Sequence, residues 1–283
     1  MIVLLFVLMI VIAIYSCTLD NAREGLKFYL IPSISKVKEV GLKQIITSAM
    51  GQSFFTLSVG IGTIAIFGSY IGKERRLLKE ATTIVCLDTF VAIMSGLIIF
   101  PACFTFNNGV TADAGTVGAS FLFTTLSSIF TSMPGGRIIG SLFFLFMIFA
   151  ALSTVIAVFE NIMSFWLEKN LSRKKISVIN ILLMLVLVMP CILGFNVLGN
   201  VSLHGKSIMD MEDFIVSNVL LPGGSLMYVI FCSYKFGWGY NNYENEVNTG
   251  SDPKLPKWIK PYFKYVLPII IIIVLIMSIV NNI

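Results

Sequence analysis

Long apolar stretches recur along the whole chain, and they restrict its fold more than any other feature. Each approaches or exceeds the roughly 20 residues that an α-helix needs to cross a bilayer. Charged residues make up 12% of the chain, whereas soluble domains carry about 25%. We therefore predict an all-α integral membrane protein, a single membrane domain over residues 1–283. Its spans are expected near 1–19, 47–71, 82–106, 138–167, 176–198, 211–235 and 262–281.

Basic residues predict the orientation of these spans. The loops after the second and fourth spans carry the clusters Lys73, Arg75, Arg76, Lys79 and Lys169, Arg173, Lys174, Lys175. Because Lys and Arg concentrate in cytoplasmic loops, both loops are expected inside the cell. The nearly uncharged stretch 107–136 is then external, and its apolar content predicts short helices that form a lid. The lysines of 20–46 do not fit this alternation. We expect a multi-pass plasma-membrane protein that contacts the lipid bilayer and binds no nucleic acid.

The second span is predicted to be a broken helix. Residues 51–62 are apolar, yet they include Gly60 and Gly62, and each glycine weakens a helix by about 1 kcal/mol relative to alanine. A break inside the bilayer frees peptide groups, which must face protein or water. Such groups could hold a small cation or a charged solute. Thr56 and Ser58 add hydroxyls there, although Ser and Thr often hydrogen-bond only to their own helix.

One face of the fourth span carries small residues and hydroxyls. Ala150, Ser153, Thr154 and Val158 share that face because of their i, i+3, i+4 and i+8 spacing. Small residues allow another helix to approach closely, which is one interpretation. The other is that the Ala150 carbonyl and the two hydroxyls form a site for an alkali cation such as sodium, which prefers hard oxygen ligands.

Acidic residues inside two spans are also candidates for function. Asp88 in the third span and Glu160 in the fourth each cost about 2.5–3.5 kcal/mol at mid-bilayer, so each should face protein, water or an ion. Asp88 is favoured as the neutralising partner of a cation, whereas a structural hydrogen bond is an equal alternative for Glu160. An enzyme is not expected, because His204 is the only histidine and the scattered cysteines show no metal-binding spacing.

Several segments together resemble the neurotransmitter:sodium symporter family, and in particular its bacterial amino-acid branch with the leucine-transporter-like fold. The resemblance implies a sodium-dependent symporter for amino acids or related small amines, with sodium ions as transported partners. The segments match the family's fifth, sixth, eighth and tenth transmembrane segments in the correct order. They are 22–32; 51–62 with Gly68, Ser69 and Tyr70; 149–154; and Asp213, Phe214 with 221–224.

The resemblance also implies roles for individual residues. The substrate would contact Phe55, Thr56, Ser58, Ile61, Thr154 and Val158. A first sodium would bind at Thr56 near Asp88, and a second at Ala150, Ser153 and Thr154. The gates would include Phe55, Asp213 on the external side and Glu168 on the internal side. The acid at Asp88, with Gln52 nearby, would replace the chloride that animal members require.

The resemblance begins at the family's fifth segment. We therefore expect this chain to be the C-terminal part of the fold, an incomplete inverted repeat that is not competent alone. A separate chain carrying the first four helices is a possible partner. A non-transporting membrane subunit or a degenerate gene product is the alternative function, and an intramembrane enzyme is a third and weaker one.

Overall fold

A computed structural model describes residues 2–280 apart from 73–74, 107–122, 124–125, 133, 168, 170–171, 196, 200, 202–206 and 250–253. The regular elements of the described residues are all helical. They are α1 (Ile2–Cys17), α2 (Ala22–Leu30), α3 (Ile34–Val40), α4 (Leu42–Thr56), α5 (Thr63–Tyr70), α6 (Leu77–Phe106), α7 (Leu126–Ser132), α8 (Gly136–Leu167), α9 (Arg173–Gly194), α10 (Ile208–Ile215), α11 (Leu221–Ser233), α12 (Tyr240–Asn248), α13 (Ile259–Pro261) and α14 (Leu267–Val280).

Among the described residues, five continuous helices are long and apolar enough to cross a membrane, which differs from the seven spans expected. They are Leu77–Thr105, Gly136–Leu167, Arg173–Gly194, Ile208–Ser233 and Ile259–Val280. A sixth candidate is the pair Phe6–Cys17 and Ala22–Leu30, whose axes bend by 114°. The expected second span is divided between α4 and α5, which have 15 and 8 residues, and neither is long enough by itself.

Two π-helical segments interrupt the last two long helices. Val216–Leu220 joins α10 to α11, and Tyr262–Val266 joins α13 to α14. The first of these ends two residues before Pro222, which Gly223 and Gly224 follow. The helix containing it begins at Ile208, three residues before the expected start at 211. Ser207 caps that start, because its hydroxyl accepts a hydrogen bond from the Asp210 amide at 3.2 Å.

The chain divides into two compact units, and the first consists of residues 1–36 and 86–156. Its core is formed by apolar side chains from α1, α6, α7 and α8, including Met9, Ile12, Ile129 and Phe143. The Ser16 hydroxyl donates a hydrogen bond to the Ile98 carbonyl at 2.6 Å inside this core. The expected external lid, 107–136, lies mostly outside the described residues; within it the structure shows α7.

Glycines allow α2 to pack directly on α6 in the first unit. A Cβ atom on Gly25 would meet the backbone of Phe100 and Pro101, so only a hydrogen fits at that position. The Tyr29 ring lies over Gly96 and stacks on the Phe100 ring with centroids 4.8 Å apart. Small residues of this kind stabilise helix pairs in membranes by bringing backbones close together.

The second unit consists of residues 37–85 and 157–283 and contains the broken helix. In it α11 packs against α14 and α4, and α14 also packs against α4. The C-terminal part of α8, α9 and α12 belong to the same unit. The helices of this unit position most of the candidate residues described next.

Candidate functional site

The predicted break in the second span is confirmed. α4 ends at Thr56 and α5 begins at Thr63, so the intervening residues 57–62 are not helical. Gly60 and Gly62 have φ values of 97° and 91°, which glycine adopts without a steric penalty. Ser58 has a φ of 49°, and a left-handed conformation of this kind costs a residue with a side chain about 1–2 kcal/mol.

The break redirects the backbone hydrogen bonds at the end of α4. The Val59 amide donates to the Phe54 carbonyl at 3.1 Å, and the Ser58 amide donates to the Phe55 carbonyl at 3.1 Å. Within the described part of the chain, no donor reaches the carbonyl oxygens of Thr56 and Leu57. Carbonyl groups at a helix end have no partner within the helix and can accept a hydrogen bond from water or a ligand.

A side chain of α8 fixes the far end of the break. The Asn161 amide nitrogen donates a hydrogen bond to the Ile61 carbonyl at 3.2 Å. The Tyr228 hydroxyl, from α11, lies against Gly62, where a Cβ atom would collide with it. The sequence analysis missed both residues. An amide inside an apolar span was the available signal for Asn161, since such a group needs a partner.

Two glycines bring the break into direct backbone contact with α11. A Cβ atom on Gly60 would meet the Leu221 carbonyl and the Ser225 amide, and a Cβ atom on Gly224 would meet the Gly60 carbonyl. The Ser225 hydroxyl is buried and donates to the Leu221 carbonyl at 2.7 Å. The break therefore packs backbone to backbone against α11, and the Ser225 hydroxyl is the nearest side-chain group to Gly60.

The hydroxyls of α4 hydrogen-bond to their own helix. The Thr56 hydroxyl donates to the Gln52 carbonyl at 3.2 Å, and the Ser53 hydroxyl donates to the Ala49 carbonyl at 2.9 Å. A hydroxyl that donates to a carbonyl keeps its own oxygen lone pairs as acceptors. Thr56 therefore makes the hydrogen bond to its own helix that the structural interpretation expects. Its hydroxyl oxygen can still ligate a cation.

Three candidate ligand oxygens meet on α8. The Ser153 and Thr154 hydroxyls both donate to the Ala150 carbonyl, at 2.7 Å and 3.2 Å. Both side chains are exposed. Two hydroxyl oxygens therefore lie within hydrogen-bonding distance of the Ala150 carbonyl oxygen. This donor set is of the hard type that alkali cations prefer.

The remaining candidates occupy several elements. Asp88 is half-buried on α6, Gln52 is exposed on α4, and Val158 is half-buried on α8. Phe55 and Ile61 are exposed by 48% and 40%. The carboxylate of Asp213 on α10 accepts a hydrogen bond from the Ser217 hydroxyl at 3.0 Å. Glu168 and His204 lie outside the described residues. The roles of all these residues stay predictions.

Glu160 has two partners in the second unit. The Arg173 guanidinium donates to its two carboxylate oxygens at 2.7 and 3.0 Å, and the Tyr70 hydroxyl donates to the first oxygen at 3.0 Å. The contacts join the end of α5 to α8 and to the first residue of α9. They favour the structural alternative for Glu160, since the carboxylate is compensated by a cation rather than left for a ligand.

Comparison with known proteins identifies the family of this chain, and the match extends over all its residues. The model of the Sodium:neurotransmitter symporter family matches residues 1–283. An uncharacterized sodium-dependent transporter of Haemophilus influenzae is 33% identical over 280 residues, which cover 98% of this chain and 58% of that protein. The transporter YhdH of Bacillus subtilis, also uncharacterized and sodium-dependent by name, is 35% identical over 82% of this chain and 50% of its own length.

One solved structure is similar to this chain in both sequence and fold. The crystal structure of MhsT in complex with L-phenylalanine has a TM-score of 0.82 and 35% sequence identity, covering 97% of this chain and 60% of MhsT. The chain thus spans between half and three-fifths of the length of these proteins.

Proposed function

The chain belongs to the sodium:neurotransmitter symporter family, and on that premise we propose that it is part of a sodium-coupled symporter for amino acids or related small amines. It is a multi-pass protein of the plasma membrane. The single observation that carries the proposal is the break at residues 57–62, with the Thr56 and Leu57 carbonyls unpaired within the described chain. Members of this structural class bind solutes at mid-membrane through such breaks.

The chemistry of the break suits an amino-acid substrate. Peptide carbonyls carry partial negative charge and accept hydrogen bonds, so they favour an ammonium group. Phe55, Thr56 and Ser58 are the proposed contacts for that group, and Ile61, Thr154 and Val158 are the proposed contacts for the rest of the substrate. The complex of MhsT with L-phenylalanine supports this substrate class.

Sodium is the proposed co-transported ion. The oxygens of Ala150, Ser153 and Thr154 form the proposed second site, and Thr56 with Asp88 the proposed first site. The names of the two bacterial relatives support sodium dependence. Sodium bound at these oxygens would stabilise a substrate-competent state, and its gradient would drive substrate inward. Asp213 and Glu168 are proposed as gate residues, and Asp88 with Gln52 as the substitute for chloride.

Transport is proposed to require further helices, because the chain spans about half the length of its curated relatives. The test uses proteoliposomes containing this chain alone, or this chain co-expressed with the first four helices of a relative. Uptake of a labelled amino-acid mixture is measured with a sodium or a potassium gradient. We expect sodium-dependent uptake only for the pair. Sodium-dependent uptake by the single chain would contradict the requirement for a partner, and no uptake in either case would favour a non-transporting subunit.

A matched pair of variants tests the α8 oxygens in the transporting pair. Ser153→Ala with Thr154→Ala removes both hydroxyls and should raise the sodium concentration for half-maximal uptake at least about tenfold, since each lost ligand to a charged group costs about 1.5–3 kcal/mol. Ser141→Ala is the control, because Ser141 lies on the same helix and its hydroxyl donates to the Arg137 carbonyl in the same way. An equal effect of both changes would argue against a sodium site at this position.

A further inference from the structure

A basic groove lies at the ends of two long helices in the second unit. Its volume is about 540 Å³, and its lining includes Lys235, Trp238, Asn241, Lys260 and Lys264. Ser233, the last residue of α11, lines the groove where α11 approaches the π-helical segment Tyr262–Val266. The residues that line the groove are different from those of the break, and none of them takes part in the proposed transport step.

Specific hydrogen bonds hold the groove in shape. The Tyr234 hydroxyl donates to the Lys264 carbonyl at 2.9 Å, and the Ser233 hydroxyl donates to the Phe263 carbonyl at 3.3 Å. These bonds satisfy two carbonyls of the π-helical segment and fix the position of Lys264. Single π-helical turns inside α-helices often occur at functional sites.

The lysines are positioned by neutral groups. The Lys260 ammonium donates to the Asn241 side-chain oxygen at 3.2 Å and lies 5.4 Å from the centre of the Tyr240 ring. The Lys264 ammonium lies 5.8 Å from the Tyr234 ring. Burial and the nearby Glu244 carboxylate raise the pKa of Tyr240, so its phenol stays neutral at pH 7. Cation–π contacts orient a lysine but leave its charge uncompensated.

Three lysines line the groove and outnumber the one carboxylate, Glu244, that acts on its Tyr240, so the groove carries an excess of positive charge. The ion pairs of the described residues are Arg75–Glu80 and Arg173–Glu160, and neither involves a lysine of the groove. Three ammonium groups around one cavity repel one another, so an anion that enters the cavity lowers their electrostatic energy. Lysine is a common point-charge ligand of phosphate.

The position of the groove indicates where its anion comes from. Lys260 and Lys264 lie in the first turns of the membrane-length helix Ile259–Val280, the part of such a helix that meets the boundary between water and lipid tails. Trp258 and Tyr265 flank them and are exposed by 64% and 55%. Trp and Tyr prefer the depth of the lipid headgroups. We propose that the groove binds the phosphate headgroup of an anionic phospholipid through Lys235, Lys260 and Lys264.

The test measures which lipids the full chain retains. The purified, delipidated chain receives equal amounts of phosphatidylglycerol and phosphatidylcholine in detergent, and native mass spectrometry counts the bound lipids. We expect phosphatidylglycerol to be enriched. Changing all three groove lysines to Gln should reduce the enrichment at least about tenfold, because each lysine at an anionic lipid surface contributes about fivefold.

Two variants control for charge and for folding. Lys79→Gln with Lys174→Gln and Lys175→Gln makes the same charge change at exposed positions elsewhere and should keep the enrichment. Lys235→Gln alone should reduce it about fivefold, and no cation–π contact or ion pair of the described residues involves this lysine, so folding should be preserved. Circular dichroism verifies the helix content of each variant.

Three results would overturn the proposal. They are unchanged enrichment in the folded Lys235→Gln or triple groove variant, an equal loss in the control variant, and displacement of phosphatidylglycerol by millimolar inorganic phosphate. The last result would show that the groove binds a soluble anion instead of a lipid. Retained enrichment in the variant with three arginines in place of the groove lysines would support the proposal, because arginine keeps the charge.

Discussion

At the scale of single residues, Gly60 combines two constraints that can be measured separately. Its φ of 97° strains any side chain, and a Cβ atom would collide with α11. We expect Gly60→Ala to destabilise the protein by about 2–5 kcal/mol, as the sum of left-handed strain and overpacking. The midpoint of thermal unfolding in detergent, followed by circular dichroism, measures the effect.

Two other glycines separate the strain from the packing. Gly41 has a φ of 88° but open space around its Cβ position, so Gly41→Ala should cost only about 1–2 kcal/mol. Gly51 is helical and also has open space, so Gly51→Ala should stabilise the protein by up to about 1 kcal/mol. If Gly60→Ala destabilises the protein no more than Gly41→Ala does, the contact with α11 contributes nothing to the free energy of unfolding.

The pair of Glu160 and Arg173 gives a second residue-scale prediction. The Glu160 side chain is 20% exposed and the Arg173 side chain is 64% exposed, so solvent screens the interaction in part. In a double-mutant cycle with Glu160→Gln and Arg173→Gln, we expect a coupling energy of about 0.5–1.5 kcal/mol in thermal unfolding. Additive single effects would mean that the ion pair does not stabilise the fold.

Sequence analysis identified Glu160 but not its partner. The positions of a carboxylate and a base on one helix follow from their spacing, whereas Glu160 and Arg173 lie on different helices. Arg173 was counted only as part of a basic loop. Asn161 was missed for a similar reason. Its partner is the Ile61 backbone carbonyl, and because every residue has such a carbonyl, the sequence does not indicate which one is the partner.

At the scale of elements, the docking of α2 on α6 depends on Gly25. Gly25→Ala should destabilise the first unit by about 1–3 kcal/mol, since the methyl group would meet the backbone of Phe100 and Pro101. Gly223→Ala is the control, because its Cβ position in α11 is open. Thermal unfolding in detergent compares the two. Equal unfolding midpoints would show that α2 and α6 can move apart slightly without a loss of stability.

The elements show where sequence patterns succeed and where they fail. Helix-breaking glycines predicted the interruption at residues 57–62, because backbone propensity acts locally. The helix starts at Ile208, before the expected start at residue 211, although acidic residues follow it. Its Ser207 cap outweighs their polarity, and an acidic first turn also favours the start of a helix. The π-helical segments have no comparable sequence signal, since they depend on tertiary contacts.

At the scale of the whole molecule, the basic clusters predict which loops face the cytoplasm, and this can be mapped by chemical labelling. In a variant without native cysteines, single cysteines replace Ser172, Val201 or Thr249. We expect a membrane-impermeant maleimide to label the cysteine at 201 in intact cells and the other two only after permeabilisation. Labelling of the cysteine at 172 in intact cells would reverse the proposed orientation.

The backbone contact between Gly60 and Gly224 has a mechanical consequence. Where side chains separate two segments, changes of rotamer can accommodate small displacements of one backbone relative to the other. No side chain separates Gly60 from Gly224, because a Cβ atom on Gly224 would already collide with the Gly60 carbonyl. In any conformational change, Gly60 and Gly224 must therefore move together as a rigid unit or separate completely. Any gradual sliding of one past the other is blocked.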